Sequence, residues 1–187
     1  MHSSARVKVA LRIRPLNARE VAAGHRCVLE PVGANGVVIW DPTSYDALNG
    51  AQNTYNIDPS CWSRNFHYDY CLWSTDPTAD AFASQETVFH TVGQPVVQHT
   101  VDGFNTCVLA YGQTGAGKTW SMLGSGDGNP EEFGLIPRIC YGLFEAFEAA
   151  LAAQHSATAG GVEAAGTTVD FSYLEIYNES LRCDTRQ

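Results

Sequence analysis

Apolar and polar residues change their rhythm several times along the chain, and each rhythm predicts an element. In VKVALRIRP, Val7, Val9 and Leu11 alternate with Lys8, Ala10 and Arg12. That is the two-residue period of a strand, halted by Pro15. GVVIW (36–40) and NFHYDYCLW (65–73) are rich in β-branched and aromatic residues and predict two further strands. Between them, DPTSYDALNGAQNT carries turn chemistry. SQETVFHTVGQPVVQHTVDG (84–103) changes to helical spacing, with Val88, Phe89, Val92, Val96, Val97 and Val101 near one face. Ser84 is placed to cap its start, Gly103 to stop it, and Pro95 to kink or divide it.

NTCVLAY (105–111) is a nearly uncharged apolar run. It predicts a strand in the middle of a sheet covered on both faces. LIPRICYGLFEAFEAALAAQ then predicts a helix whose stripe is Ile136, Ile139, Cys140, Leu143, Phe144, Phe147 and Leu151, with Pro137 in its first turn. A small-residue loop follows over about 155–168, expected to be flexible, and VDFSYLEIYN (169–178) is a final strand. Strands alternating with helices indicate an α/β layered fold.

Composition narrows the class. The 187 residues suffice for one domain with a core, and 44% hydrophobic residues argue against wholesale disorder. No apolar run is long enough to span a bilayer, and the N-terminus has no apolar block bounded by a cleavage site. The expected protein is intracellular and not inserted in a membrane. Six cysteines without a C-x-x-C pair, and six histidines without close ligand spacing, suggest reduced, mostly buried thiols rather than zinc or disulfides. A net charge of -9, from 11 Lys+Arg against 20 Asp+Glu, speaks against nucleic acid as a partner.

The chain has only two lysines, Lys8 and Lys118, and the second ends a glycine-rich run. Residues 112–119, GQTGAGKT, match G-x-x-x-x-G-K-[ST] at every fixed position. Gly112, Gly115 and Gly117 let the backbone turn tightly and aim N–H groups at an anion, with Gln113, Thr114 and Ala116 between them. Lys118 can reach the β- and γ-phosphates of a nucleotide, and the Thr119 hydroxyl can complete the shell of a magnesium ion. The competing reading is a glycine-rich turn whose lysine faces water; the strand expected just before the loop favours the phosphate cradle.

Several blocks resemble the kinesin motor domain. Arg12-Ile13-Arg14-Pro15 is similar to the R-x-R-P signature that ends the family's first strand. HTVDGFNTCVLAYGQTGAGKTWSMLG resembles its phosphate-loop region, and GLIPRICYGLF and FSYLEIYNES resemble the following helix and strand. FHYDYCLWSTDPTADAFASQETVF looks most like the class-three kinesins. The likeness runs from about Ala5 to Arg182, with the blocks in family order. It implies a P-loop NTPase-type α/β fold, a central mostly parallel or mixed sheet flanked by helices, with residues 1–187 as about the first half of a motor domain. It also implies ATP and magnesium as cofactors, the microtubule as partner, and a cytoplasmic, cytoskeletal location. Carried over residue by residue, Arg12, Arg14 and Pro15 would flank one side of the adenine and Trp120 the other. Flat apolar faces suit that task. Trp120 also reads as an ordinary core aromatic, and Arg12 as a solvated strand-edge charge.

The remaining candidates have plainer readings. Tyr173, Glu175 and Tyr177 suit strand packing, Glu131 and Glu132 a solvated loop, and His90 and His99 a surface. By resemblance, Asp127 and Glu132 lie in a loop overhanging the nucleotide. The family's N-x-x-S-S-R-S-H and D-x-x-G-x-E segments, which position water and sense the γ-phosphate, do not occur in these residues, so no catalytic residue is identifiable. The departure from the family pattern at 183–187 suggests a truncated or partial product, marginally stable alone. Two functions follow: the N-terminal part of an ATP-hydrolysing microtubule motor, or a nucleotide-binding remnant without turnover that acts as an interaction or regulatory module. An unrelated P-loop NTPase fits less well, because four family blocks recur in order.

Overall fold

A computed structural model describes residues 7–41, 63–157 and 169–183. In chain order its elements are β1 (Ala10–Ile13), α1 (Ala18–Ala22), β2 (Leu29–Val32), β3 (Gly36–Trp40), β4 (Ser63–His67) and β5 (Tyr70–Trp73). Then come α2 (Gln85–Val88), a π-helical turn (Phe89–Gly93), α3 (Gln94–Val101), α4 (Lys118–Met122), a 3-10 turn (Pro130–Glu132), α5 (Leu135–Ala157), β6 (Leu174–Tyr177) and β7 (Ser180–Cys183). The chain divides into two compact units, Met1–Leu143 and Phe144–Gln187.

In the first unit β1 lies parallel to β5, with Leu11 opposite Cys71 and Ile13 opposite Trp73. β2, β3 and β4 form a separate antiparallel sheet. The run 65–73 is therefore two strands rather than one, and they serve different sheets. The break falls at Tyr68 and Asp69, where the Asp69 carboxylate accepts from the Val9 N–H at 2.9 Å and from Lys8 Nζ at 3.4 Å. These contacts hold the chain as it leaves one sheet and enters the other. Burial along this segment follows position more than side: Val7, Val9 and Ala10 are exposed, Leu11 and Arg12 are half-buried, and Ile13 is buried.

The long helical segment starts where its sequence indicates. The Ser84 side chain accepts from the Thr87 N–H, and Gly103 ends the segment at φ 88°. Pro95 divides it through the π-turn, whose Gln94 N–H reaches back to the Phe89 carbonyl. A wider turn accommodates a proline that cannot donate and would crowd the preceding turn. A Cβ on Gly93 would stand 2.4 Å from the Phe89 ring and 3.2 Å from Leu135, so this crossing requires glycine. The stripe of α5 is rotated from its expected position: Leu135 is buried and Ile139 partly so, while Ile136, Cys140 and Phe144 are exposed. Leu72, Ala83, Val88 and Leu135 form the core, with Phe89, Val92, Val108, Met122 and Ile139 packed around it.

Residues 105–111 depart most from expectation. Val108 touches the core, but no strand ladder includes this run among the described residues. Leu109 is 85% and Tyr111 96% exposed. An apolar run becomes a central strand only when neighbours pair with it on both sides, and no described strand does so.

In the second unit β6 and β7 make a hairpin whose two-residue turn, Asn178 and Glu179, is left-handed at φ 48° and 62°. Paired left-handed residues match the twist of a tight hairpin. β6 is shorter than the expected strand over 169–178, and β7 had no signal of its own in the alternation. α5 extends through 155–157, and the rest of the loop expected to 168 lies outside the described residues, as does most of the 41–54 turn segment. Of the cysteines described, Cys27 and Cys71 are partly buried, and Cys107 and Cys140 are exposed thiols rather than the buried ones expected. No described helix is long and apolar enough to cross a membrane.

Candidate nucleotide-binding site

The glycine-rich loop runs from the core-facing Val108 into α4. Gly115 and Gly117 have φ of 82° and 93°, a region where a side chain would be strained, and together they curl the backbone. The N–H groups of Gly115, Gly117, Lys118 and Thr119 have no partner among the described residues. Lys118 Nζ donates to the carbonyls of Gly112 at 2.7 Å and Gln113 at 2.9 Å. The ammonium is thus held over the loop by two neutral oxygens, with its charge uncompensated. Thr119 is exposed, and its hydroxyl makes no bond to the described protein. Unpartnered backbone donors, an unneutralised ammonium and a free hydroxyl suit a magnesium-bound polyphosphate.

Arg14 braces this loop. Its Nε donates to the Gly115 carbonyl at 2.8 Å, and its two terminal nitrogens fork onto the Glu20 carboxylate at 2.7 Å each. Glu20 also completes a capping box with Asn17 at the start of α1. The fork from Arg14 and the Asn17 N–H hold the Glu20 carboxyl down to about 2. The Asn17–Glu20 box carries a sequence signature, an Asn three residues before a Glu, that pattern reading passed over.

Arg12 does something different. Its Nε donates to Ser74 Oγ at 3.1 Å, and its Nη1 to Gln85 Oε1 at 2.9 Å and Ser121 Oγ at 3.0 Å. Burial pushes this guanidinium below its ordinary pKa. The group links β1, α2 and α4 from inside rather than facing solvent.

Beside the loop lies a cavity of about 910 Å³. Its walls are Arg12, Arg14, Pro15, Leu16 and Asn17 on one side; Gly115, Ala116, Gly117, Trp120 and Ser121 on another; and Ser84, Gln85, Glu86, Pro130, Glu131, Glu132 and Arg138 on a third. Arg12, Arg14, Pro15 and Trp120 therefore border one space. Trp120 is 42% exposed rather than sunk in the core. Gly112, Gln113, Thr114, Lys118 and Thr119 lie outside that lining and form the adjoining loop. Arg138 holds the 3-10 turn by donating to the carbonyls of Phe133, Pro130 and Glu131. Asp127 is turned onto Ser125 and the Asn129 N–H instead of the cavity. Gln85, whose amide spans two walls, had no signal in the sequence.

The loop and its layered surroundings define a P-loop protein. The kinesin motor domain profile matches residues 12–183. Kinesin-like protein KIF13B of Homo sapiens is 38% identical over 178 residues, covering 95% of this chain and 8% of that protein. Kinesin-like protein K39 of Leishmania chagasi is 38% identical over 195 residues, covering 94% and 18%. A solved structure described as KIF14 residues 391–755 with ADP, in complex with a microtubule, superposes with a TM-score of 0.60 at 25% identity. It matches 99% of this chain and 50% of its own. The chain belongs to the kinesin motor domain family. It spans half of that solved motor chain and less than a tenth of KIF13B.

Proposed function

We propose that this chain binds Mg-ATP, with the phosphates on residues 112–119 and the base in the cavity bordered by Pro15 and Trp120, and that in the intact protein this site powers movement along microtubules. The observation that carries the reading is Lys118: an ammonium held over unpartnered loop N–H groups by carbonyls alone. A magnesium ion on the Thr119 hydroxyl would neutralise the phosphates when bound. The chain's own residues do the rest: the loop amides and Lys118 hold the phosphates, Arg14 keeps the loop in shape, and Pro15 and Trp120 offer flat faces to the base. The microtubule as partner follows from family membership and from the microtubule complex of the solved relative.

Fluorescent-ATP titration tests the binding step. Nucleotide should bind the wild-type chain, and Lys118→Ala should abolish binding by deleting the charge that meets the phosphates. Unchanged affinity in that variant would remove the reading. A second reading is nucleotide binding without turnover in an interaction or regulatory module, which has no need of the water-positioning and γ-phosphate-sensing segments N-x-x-S-S-R-S-H and D-x-x-G-x-E. Microtubule-stimulated hydrolysis separates the two. The motor reading expects it only from a form carrying both segments; the second expects it from no form.

A further inference from the structure

We propose that Gln85 is a positioning residue that fixes the base-side walls of the cavity, a role that rests on the nucleotide reading above. Its side chain is only 6% exposed. A buried primary amide must satisfy both ends, and the partners it finds show what it holds. Oε1 accepts from Arg12 Nη1 at 2.9 Å, while Nε2 donates to the Trp120 carbonyl at 2.8 Å and the Glu132 carbonyl at 3.3 Å. One amide therefore ties β1, α4 and the 3-10 turn to the first turn of α2.

The Trp120 carbonyl needs an outside donor. α4 has five residues and ends at Met122, and the Leu123 and Gly124 N–H groups both turn back to the Thr119 carbonyl. The Trp120 carbonyl is thus one of the orphan acceptors at a helix C-terminus. Past the 3-10 turn, the Gly134 N–H goes to the Leu123 carbonyl. Gln85 caps the Trp120 carbonyl and reaches the Glu132 carbonyl with the same amide nitrogen. Trp120 and the 3-10 turn are walls of the cavity, so their spacing is set by the reach of one side chain.

No other residue does this at the same length. Glutamate keeps the acceptor for Arg12 but offers no N–H, and sets a carboxylate against two carbonyl oxygens. Methionine fills the volume but removes the donor from the Trp120 carbonyl, leaving Arg12 only Ser74 and Ser121. The phosphate loop has separate braces in Lys118 and Arg14. Loss of Gln85 should therefore loosen the grip on the base and spare the grip on the phosphates.

Calorimetric titration with Mg-ADP and, separately, magnesium pyrophosphate on wild type, Gln85→Glu and Gln85→Met tests this. The expected result is a Kd for Mg-ADP raised about tenfold, with the pyrophosphate Kd moved by less than about twofold. Parallel weakening of both ligands, or an unchanged Mg-ADP Kd, would overturn the role. A wild-type chain that binds neither ligand overturns it too, but by removing the nucleotide reading, whereas failure in the variants alone removes only Gln85. Should Gln85→Met not fold, Gln85→Glu carries the comparison, because it keeps the size and the bond from Arg12. Hydrogen exchange without ligand is the second readout: faster exchange over 119–124 and 130–134 in Gln85→Glu, with 112–117 unchanged, supports the anchor, and unchanged exchange in the first two spans refutes it.

Discussion

Two arginines two positions apart on one strand end have opposite tasks. Arg12 turns inward onto neutral acceptors, whereas Arg14 turns outward onto Glu20 and the glycine-rich loop. The Glu20 carboxyl, at about 2 when folded against an ordinary 4.5, makes a testable statement about acid. A depressed folded pKa contributes stability that is fully present above the unfolded value and is lost as pH falls through the folded one. Wild type should therefore exceed Glu20→Gln in urea midpoint at pH 6, and the gap should close between about pH 4.5 and pH 2. Added salt should shrink it, since the pair is partly exposed. Neither arginine's destination was readable from alternation, which assigns faces but not partners. Arg12 sits on the polar side by period, yet that side meets Ser74 and Gln85 instead of water. Gln85 was invisible for a related reason: a polar residue in a helix's first turn looks solvated until another element closes over it.

Between α4 and α5 the chain makes a strap whose ends are joined by the bridge from Gly124 to Phe133. A Cβ on Gly124 would lie 2.0 Å from the Glu132 carbonyl oxygen, at a φ of 94°. Gly124→Ala should lower stability by about 1–3 kcal/mol in chemical denaturation. It should also speed exchange at Gly134, whose N–H bonds the Leu123 carbonyl. The run 105–111 makes a different prediction. Exposed, unpaired and apolar, it is the kind of segment that pairs with other chains. Leu109→Lys combined with Tyr111→Ser should raise the monomer fraction in light scattering relative to wild type. Here the pattern named a strand, and the run joins no ladder among the described residues. Burial on both faces is a property of the neighbours, so the run's own residues could not decide it. Ser84, Gly103 and Pro95 acted as written, because caps and prolines act within a few residues of themselves. The stripe of α5 slipped by one position because Leu135, at the helix's first residue, took the core place assigned to Ile136.

For the molecule as a whole, the glycine-rich loop and the family were legible early. The loop pattern fixes residue types at each step for steric and electrostatic reasons, and four blocks in order leave little freedom. The cavity as a bounded space was not legible, since its third wall comes from the strap and α2, far from the motif in sequence. Ligand binding should be visible in global stability. With Mg-ADP at a hundred times its Kd, the chain should gain about 2.7 kcal/mol against unfolding, seen as a raised Tm. Lys118→Ala should show no such rise at the same concentration.

The π-turn at Phe89–Gly93 is one residue wider than the helix on either side of it. A turn closed from Gln94 to Phe89 takes up one residue more than an α-turn, so α3 leaves it on the face that an unbroken helix one residue shorter would present. The same residues wound as plain α-helix would turn Val97 by about 100° away from Gly142, where its methyl now leaves only 3.2 Å for a Cβ. The wide turn works like a washer in a bolted joint: it takes up the spare length so that the parts still line up.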